Sequence, residues 1–417
     1  MLANSIKLAL KVLGRRKFFT FISLFGISLT LVVLMVATAI LDNVFGARKP
    51  ESKFDRVLTV ERLGLYGPEN NITGNPGYKF LNLYMRPIAG AEAISIATSS
   101  DLLTMYHGNR KIETQLRRTD AAYWSIVDFD FLEGGPYTAD DDRNGSKVAV
   151  ITDAMRTKLF GPDTSALGRT FVADGLTFRV VGVVPSVSIL RKAAFSEIWA
   201  PMRTMRSSDY ERESTGSFRG LVLAKSRADF PRLKEDFKRR LERYVFDDPQ
   251  NYKLVVAGLD TNFEAFAREA LHVRGSQAAE ARTGTMRLIF LVVALLFITL
   301  PTMNLVSINL SRIMERASEI GVRKAFGASS RKLIAQFVLE NVVLTVIGGA
   351  IGFVLAVLAL QAMSRLELLP YAIFDINLRI FGYCMLLAAL FGAISGAYPA
   401  WRMSRMHPVN ALRGGAL

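Results

Sequence analysis

The chain has 417 residues, half of them hydrophobic, a single cysteine and a formal net charge of +15. That length admits more than one domain, and so large an apolar share with a positive mean hydropathy points to membrane segments. The charge does not indicate nucleic acid: residues 1–17 hold five basic and no acidic residues, 311–337 six basic and two acidic, and the tail three basic, whereas 42–286 is nearly balanced at 35 basic and 32 acidic.

Lys and Arg gathered in short segments beside apolar runs mark the cytoplasmic side of a membrane, so both termini and 311–337 are predicted to be cytoplasmic. Residues 5–16 place Ile6, Leu10 and Leu13 on one face and Lys7, Lys11 and Arg15 on another, which suits an interfacial helix in contact with membrane lipid. A first span at 18–41 follows, too long for the 7–15 apolar residues of a cleaved signal peptide. Residues 42–56 are expected to prolong it.

Residues 42–286 are predicted to form a mixed α+β domain inserted between the first and second spans. LLTMYH and KIETQLRR flank His107-Gly108-Asn109-Arg110, and RTFVA and LTFRVVGVV flank Asp174-Gly175, both hairpin patterns. KVAVIT is expected as a buried strand, leading into a helix capped by Thr152 or Asp153 and stopped near Phe160 by Gly161-Pro162. Residues 228–246 space Phe230, Leu233, Phe237, Leu241 and Tyr244 along one helical face, and YKLVVAG follows as a strand. The acidic triplet Asp140-Asp141-Asp142 is expected in a solvated loop. Residues 261–287, rich in Ala, Glu and Arg, are expected to form a helical stalk entering the membrane.

Three further spans are predicted at 288–308, 338–360 and 380–398, each near the ~20 apolar residues that cross ~30 Å of hydrocarbon. The second contains Pro301 among Thr299, Thr302, Asn304 and Ser307, polar groups expected to face other helices. Gly348 and Gly352, and Gly392 and Gly396, have the GxxxG spacing that lets helices approach closely, within one chain or across a dimer. Between the second and third spans, 312–326 is predicted as a surface helix, with Glu315/Glu319 and Glu319/Arg323 as i,i+4 pairs and Gly327 as its C-terminal cap.

ERASEIGVRKAFGASSRKLI, with the following QFVLE, resembles the signature of the MacB/FtsX superfamily of ABC-transporter permeases. AYPAWRMSRMHPVNALR resembles that family's C-terminal signature, and KVAVITDAMRTKLFG with SALGRTFVADGLTFRVVGVV is similar to its MacB-like periplasmic core domain. The resemblance implies an α-helical membrane protein with four transmembrane helices and an extracytoplasmic domain between helices 1 and 2. Its parts are 1–41 with the first helix, 42–286 with the stalk, and an FtsX-like permease domain at 287–417. It implies a coupling helix docking on a separate ABC ATPase through Glu315, Arg316, Glu319, Ile320, Arg323, Lys324 and Gly327. It also implies a permease dimer, homo- or heteromeric, in a bacterial cytoplasmic (inner) membrane, with a periplasmic adaptor or a lipoprotein as further partner. Pro399, Arg402, Pro408, Ala411, Leu412 and Arg413 match the family ending, read as stopping the fourth span.

No GxxxxGK[ST], HExxH, CxxC or GxSxG motif occurs, and His107, His272 and His407 stand far apart in sequence, so neither catalysis, a cofactor nor a metal site is expected. The function implied is a permease subunit in which ATP hydrolysis elsewhere moves the external domain, for export or release of a hydrophobic or amphipathic substrate or a lipoprotein. The competing reading is a membrane sensor or scaffold whose external domain binds a ligand or cell-wall enzyme without transport.

Overall fold

A computed structural model describes residues 17–162, 164–271, 283–297, 329–366, 369–374 and 377–404, together with Gly14, Thr299 and Met303. The chain divides into two compact units: Met1–Asp42, Leu288–Leu368 and Ile373–Leu417 form one, Asn43–Arg287 with Leu369–Ala372 the other.

The first long element among the described residues is helix α1 (Lys17–Phe45), and the chain enters the second unit at Asn43. The helix stops at Phe45, short of the predicted extension to 56. Gly46 follows, and Pro50 lacks the N–H that a continuing helix would need.

Fourteen strands follow among the described residues of the second unit: β1 (Val57–Val60), β2 (Leu63–Tyr66), β3 (Asn71–Pro76), β4 (Ala91–Thr98), β5 (Asp101–His107), β6 (Arg110–Thr119) and β7 (Glu133–Gly134). Then come β8 (Val148–Thr152), β9 (Thr170–Ala173), β10 (Leu176–Val184), β11 (Ile198–Pro201), β12 (Thr215–Gly216), β13 (Phe218–Ala224) and β14 (Leu254–Ala257). Its longer helices are α2 (Asp153–Phe160), α3 (Phe230–Leu241) and α4 (Asn262–Ala270). One sheet runs β1-β13-β4-β6-β11-β8-β10-β7, with β5 paired to β6 and β9 to β10; a smaller one runs β12-β3-β2-β14. The large sheet is mixed: β8/β10 and β6/β11 are parallel, the other pairs antiparallel.

Sequence explains these elements locally. β8 is buried on both faces, with Val148 and Val150 in one core layer and Ala149 and Ile151 in the other. Thr152 caps α2 by accepting from Met155 N–H, and Gly161 at φ +92° ends it. In the β9–β10 hairpin Asp174 and Gly175 both have positive φ, +48° and +71°, the type I′ requirement that Asp-Gly meets. In the β5–β6 hairpin the positive φ falls on Gly108 alone. Leu233 and Phe237 of α3 pack with Leu58, Leu63, Phe80 and Phe218 between the sheets.

The acidic triplet is not in a loop. Ala139–Asn144 is a short helix whose first turn contains all three aspartates. Thr138 and Asp141 form a reciprocal capping box, and negative charge at a helix N-terminus is favourable.

Beyond α4, residues 272–282 of the expected stalk lie outside the described residues, and the chain resumes in helix α5 (Thr283–Phe297). α6 (Ser330–Arg365) and α7 (Leu378–Ser404) complete the first unit. Among the described residues, two stretches are long and apolar enough to cross a membrane: Thr20–Phe45 in α1 and Ile334–Arg365 in α6. The apolar helices Thr283–Phe297 and Phe381–Ile394 are shorter, and most of the predicted span at 288–308 beyond Phe297 is not described. α7 runs through Pro399 to Ser404, so that proline does not stop it. Helices in lipid accommodate proline where neighbouring groups satisfy the freed carbonyl.

Candidate functional site

In the helical unit, the glycine pairs mark where backbones meet. A Cβ on Gly348 would lie 2.9 Å from Ile27 Cγ2; on Gly352, 3.0 Å from the Ser28 carbonyl oxygen and 3.1 Å from Leu31 Cβ. Both glycines therefore face α1 in the same chain. Ile27, Leu31 and Leu344 form the buried centre of this contact. Gly392 of α7 faces α6, where its Cβ would come within 2.5 Å of Thr345 Oγ1. Gly396 lies in the same helix. The polar side chains here are buried: Thr345 donates to the Asn341 carbonyl at 2.9 Å and Asn341 to the Phe337 carbonyl at 3.2 Å. Each satisfies its donor within its own helix, as hydrocarbon demands.

In the α/β unit, charged side chains concentrate in two places. The first holds the segment 369–372, which in sequence joins α6 to α7. Ile189 N–H donates to the Pro370 carbonyl at 3.1 Å, and Tyr371 Oη donates to Glu197 Oε1 at 2.5 Å. Lys158 of α2 reaches the same carboxylate at 2.6 Å. Burial pushes the Glu197 carboxyl up, but Lys158 and Tyr371 outweigh it and hold the carboxyl below its usual range. Tyr371 has φ +56°, a left-handed conformation costly for any residue with a Cβ and kept only where surroundings over-determine it.

The second lies where the chain leaves α1. Arg191 donates to the Gly46 and Arg48 carbonyls and pairs with Glu51 at 3.3 Å, both side chains nearly fully buried. Glu51 also accepts from Ala194 N–H at 3.0 Å. Burial raises its carboxyl above the usual range despite Arg191. Arg117, fully buried in β6, donates to the carbonyls of Lys192, at 2.8 Å, and Ala193. Phe45 meets Phe263 and Phe266 of α4 edge-on, at 5.7 and 5.4 Å between ring centres.

The predicted docking residues Glu315, Arg316, Glu319, Ile320, Arg323, Lys324 and Gly327 lie outside the described residues, as do His272, His407, residues 5–13 and the tail beyond Ser404. His107 packs edge-on against Phe160. Among the described residues no group of three or more His, Cys, Asp or Glu is placed to hold a metal ion. Sequence reading passed over Glu51, Arg117, Arg191 and Glu197. Nothing local singles them out: Arg117 and Arg118 lie in β6, whose sequence RKIETQLRRT is charged or polar at eight of ten positions.

Residues 20–240 match the MacB-like periplasmic core domain, and residues 289–408 the FtsX-like permease C-terminal domain. The chain belongs to the MacB/FtsX superfamily of ABC-transporter permeases. Its MacB-like part is the α/β unit just described, joined to apolar helices consistent with a membrane permease.

Among relatives, the uncharacterized ABC transporter permease YknZ of Bacillus subtilis is 25% identical over 83% of this chain and 78% of its own length. The macrolide export ATP-binding/permease protein MacB of Nitrobacter winogradskyi is 27% identical, over 76% of this chain and 46% of its own. The pyoverdine export ATP-binding/permease protein PvdT of Pseudomonas syringae pv. syringae is 27% identical, over 73% of this chain and 44% of its own. The chain thus spans less than half the length of those two exporters. Among solved structures, the extracellular domain of YknZ from Gram-positive bacteria covers 48% of this chain and 98% of its own, with 19% identity and a TM-score of 0.36. The periplasmic region of MacB from Actinobacillus actinomycetemcomitans covers 53% and 94%, with 15% identity and a TM-score of 0.34.

Proposed function

We propose that this chain is a permease subunit that converts ATP hydrolysis by a separate ABC ATPase into movement of an extracytoplasmic α/β domain, driving export or release of a hydrophobic or amphipathic substrate or a lipoprotein. The observation carrying this reading is the double match: a periplasmic core domain over 20–240 and a permease domain over 289–408 in one chain. The permease would sit as a dimer in a bacterial inner membrane, four helices per chain, termini in the cytoplasm, with an adaptor or a lipoprotein as partner outside.

In this reading 42–286 is the external domain and 312–326 the coupling helix. Glu315, Arg316, Glu319, Ile320, Arg323 and Lys324, with Gly327 ending the helix, form the surface that meets the ATPase. Motion reaches the external domain at two ends of chain: through α1 at Gly46–Glu51, anchored by Arg191, and through 369–372, anchored by Glu197 and Lys158. Buried, multiply bonded anchors suit force transmission because a loose joint would absorb the movement.

The test is purification of the tagged chain from its native membrane in mild detergent, comparing wild type with the charge-reversed Glu319→Arg/Arg323→Glu double variant. An ATPase recovered at about one per permease chain and lost in the variant is the expected result. A folded chain that brings down no ATPase would sink the reading, and full ATPase recovery with the variant would sink the docking role.

A further inference from the structure

Beside the Arg191–Glu51 anchor the α/β unit contains a polar cavity of about 330 Å³, enough for about ten waters at ~30 Å³ each. Its walls come from the β1–β2 turn (Glu61, Arg62), β3, β13 (Arg219), Lys192 and α4. Three ion pairs line it: Arg268 grips Asp260 through two bonds of 2.7 and 2.8 Å, Lys192 meets Glu269 at 2.9 Å, and Arg219 approaches Glu61 at 3.4 Å.

Those pairs do not balance the charge. Arg62 also lines the cavity and forms no ion pair among the described residues. Arg219 Nη1 is buried without a hydrogen-bond partner. Arg117, close enough to feel the fields of Arg219 and Glu51, donates to two carbonyls, and its Nε is buried without a hydrogen-bond partner. Among the residues lining the cavity, four cations, Arg62, Lys192, Arg219 and Arg268, face three carboxylates, Glu61, Asp260 and Glu269, a surplus of one positive charge. Unpaired buried cations and donors are costly, and an anion with several acceptor oxygens relieves both terms. A phosphate group matches best: about −1.5 to −2 as a monoester at pH 7, with three oxygens for forked guanidinium donors.

We propose that this cavity binds a phosphate group, free or as a phospholipid headgroup, with Arg62 and Arg219 as its principal ligands and Lys192 as a third. A bound anion ties the β1–β2 turn and β13 to the segment around Lys192, and so stiffens the region where the chain leaves α1. This assignment is independent of the transport reading.

The full-length chain, purified in a neutral detergent and chloride buffer, is titrated with inorganic phosphate and, separately, with a short-chain phosphatidylglycerol, by calorimetry and thermal unfolding. Saturable binding is expected, with a raised unfolding temperature and an affinity that falls with added salt. Arg62→Gln is expected to weaken it about tenfold, about 1.4 kcal/mol, with each shift on binding read against the variant's own unliganded unfolding temperature. Arg219→Lys, which keeps the charge but loses the fork, serves as second variant and should also bind more weakly. Tighter binding of phosphate assigns the free anion, and tighter binding of phosphatidylglycerol the headgroup. Binding of neither, or binding indifferent to both substitutions, overturns the proposal.

Discussion

Glu51 and Arg191 show how a charged pair far from water can set the position of a chain. Each side chain is about 95% buried, and between them they satisfy two carbonyls and an amide of the segments they join. Glu51→Ala removes a carboxylate and leaves Arg191 buried with its charge uncompensated, for which about 3–5 kcal/mol is the expected cost. Glu51→Gln should cost much less, because an amide oxygen still accepts from Ala194 and burial already favours the neutral form. Urea unfolding followed by tryptophan fluorescence measures both, since Trp124 and Trp199 lie in this unit. Equal losses for the two variants would mean that the charge, and not the hydrogen bond to Ala194, carries the whole contribution. No sequence spacing announces this pair: its members are 140 positions apart, and neither sits in a motif.

At the scale of elements, the features legible in the sequence were those with local causes. Asp-Gly demands positive φ at two adjacent residues, and the β9–β10 turn supplies it. Threonine before an apolar helical face caps α2. The misread elements were those where a second cause competed. Asp140-Asp141-Asp142 looked like a solvated loop because its charge was weighed and its capping spacing, Thr138 to Asp141, was not. The helices outrun the predicted spans because apolar runs define only the lipid-facing core: α6 has 36 residues, about 54 Å at 1.5 Å per residue, well beyond the hydrocarbon thickness. GxxxG spacing fixed which residues form a close contact but not the partner helix, which the fold supplies as α1. Gly352→Leu should destabilise the helical unit by about 1–3 kcal/mol, since the Ser28 backbone cannot yield as a side chain would. Gly382→Ala, with nothing within 4 Å, should instead be neutral or gain up to ~1 kcal/mol of helix propensity. Thermal unfolding in detergent compares the two, and a stable Gly352→Leu would refute the close contact.

For the whole molecule, 369–372 matters most, because a segment between α6 and α7 is built into the α/β unit. Tyr371→Phe removes the donor to Glu197 and should cost about 1–2 kcal/mol at neutral pH. The Glu197 carboxyl is held below its usual range, so its contribution is complete above the unfolded value near 4.3 and is lost as pH falls through the lowered folded value. The gap between wild type and Tyr371→Phe should therefore narrow as the pH falls through that lowered folded value. A gap unchanged at low pH would show that the hydroxyl acts through something other than the ionised carboxylate.

The meeting of Phe45 with Phe263 and Phe266 has an architectural consequence. The strands and helices between them leave and return at one point, like a bead strung on a closed ring. Residues on the far side of the bead can then diverge, grow or be replaced wholesale without altering the path by which the chain departs from α1 and rejoins α4. Related chains can in this way keep one frame of helices and vary what hangs from it.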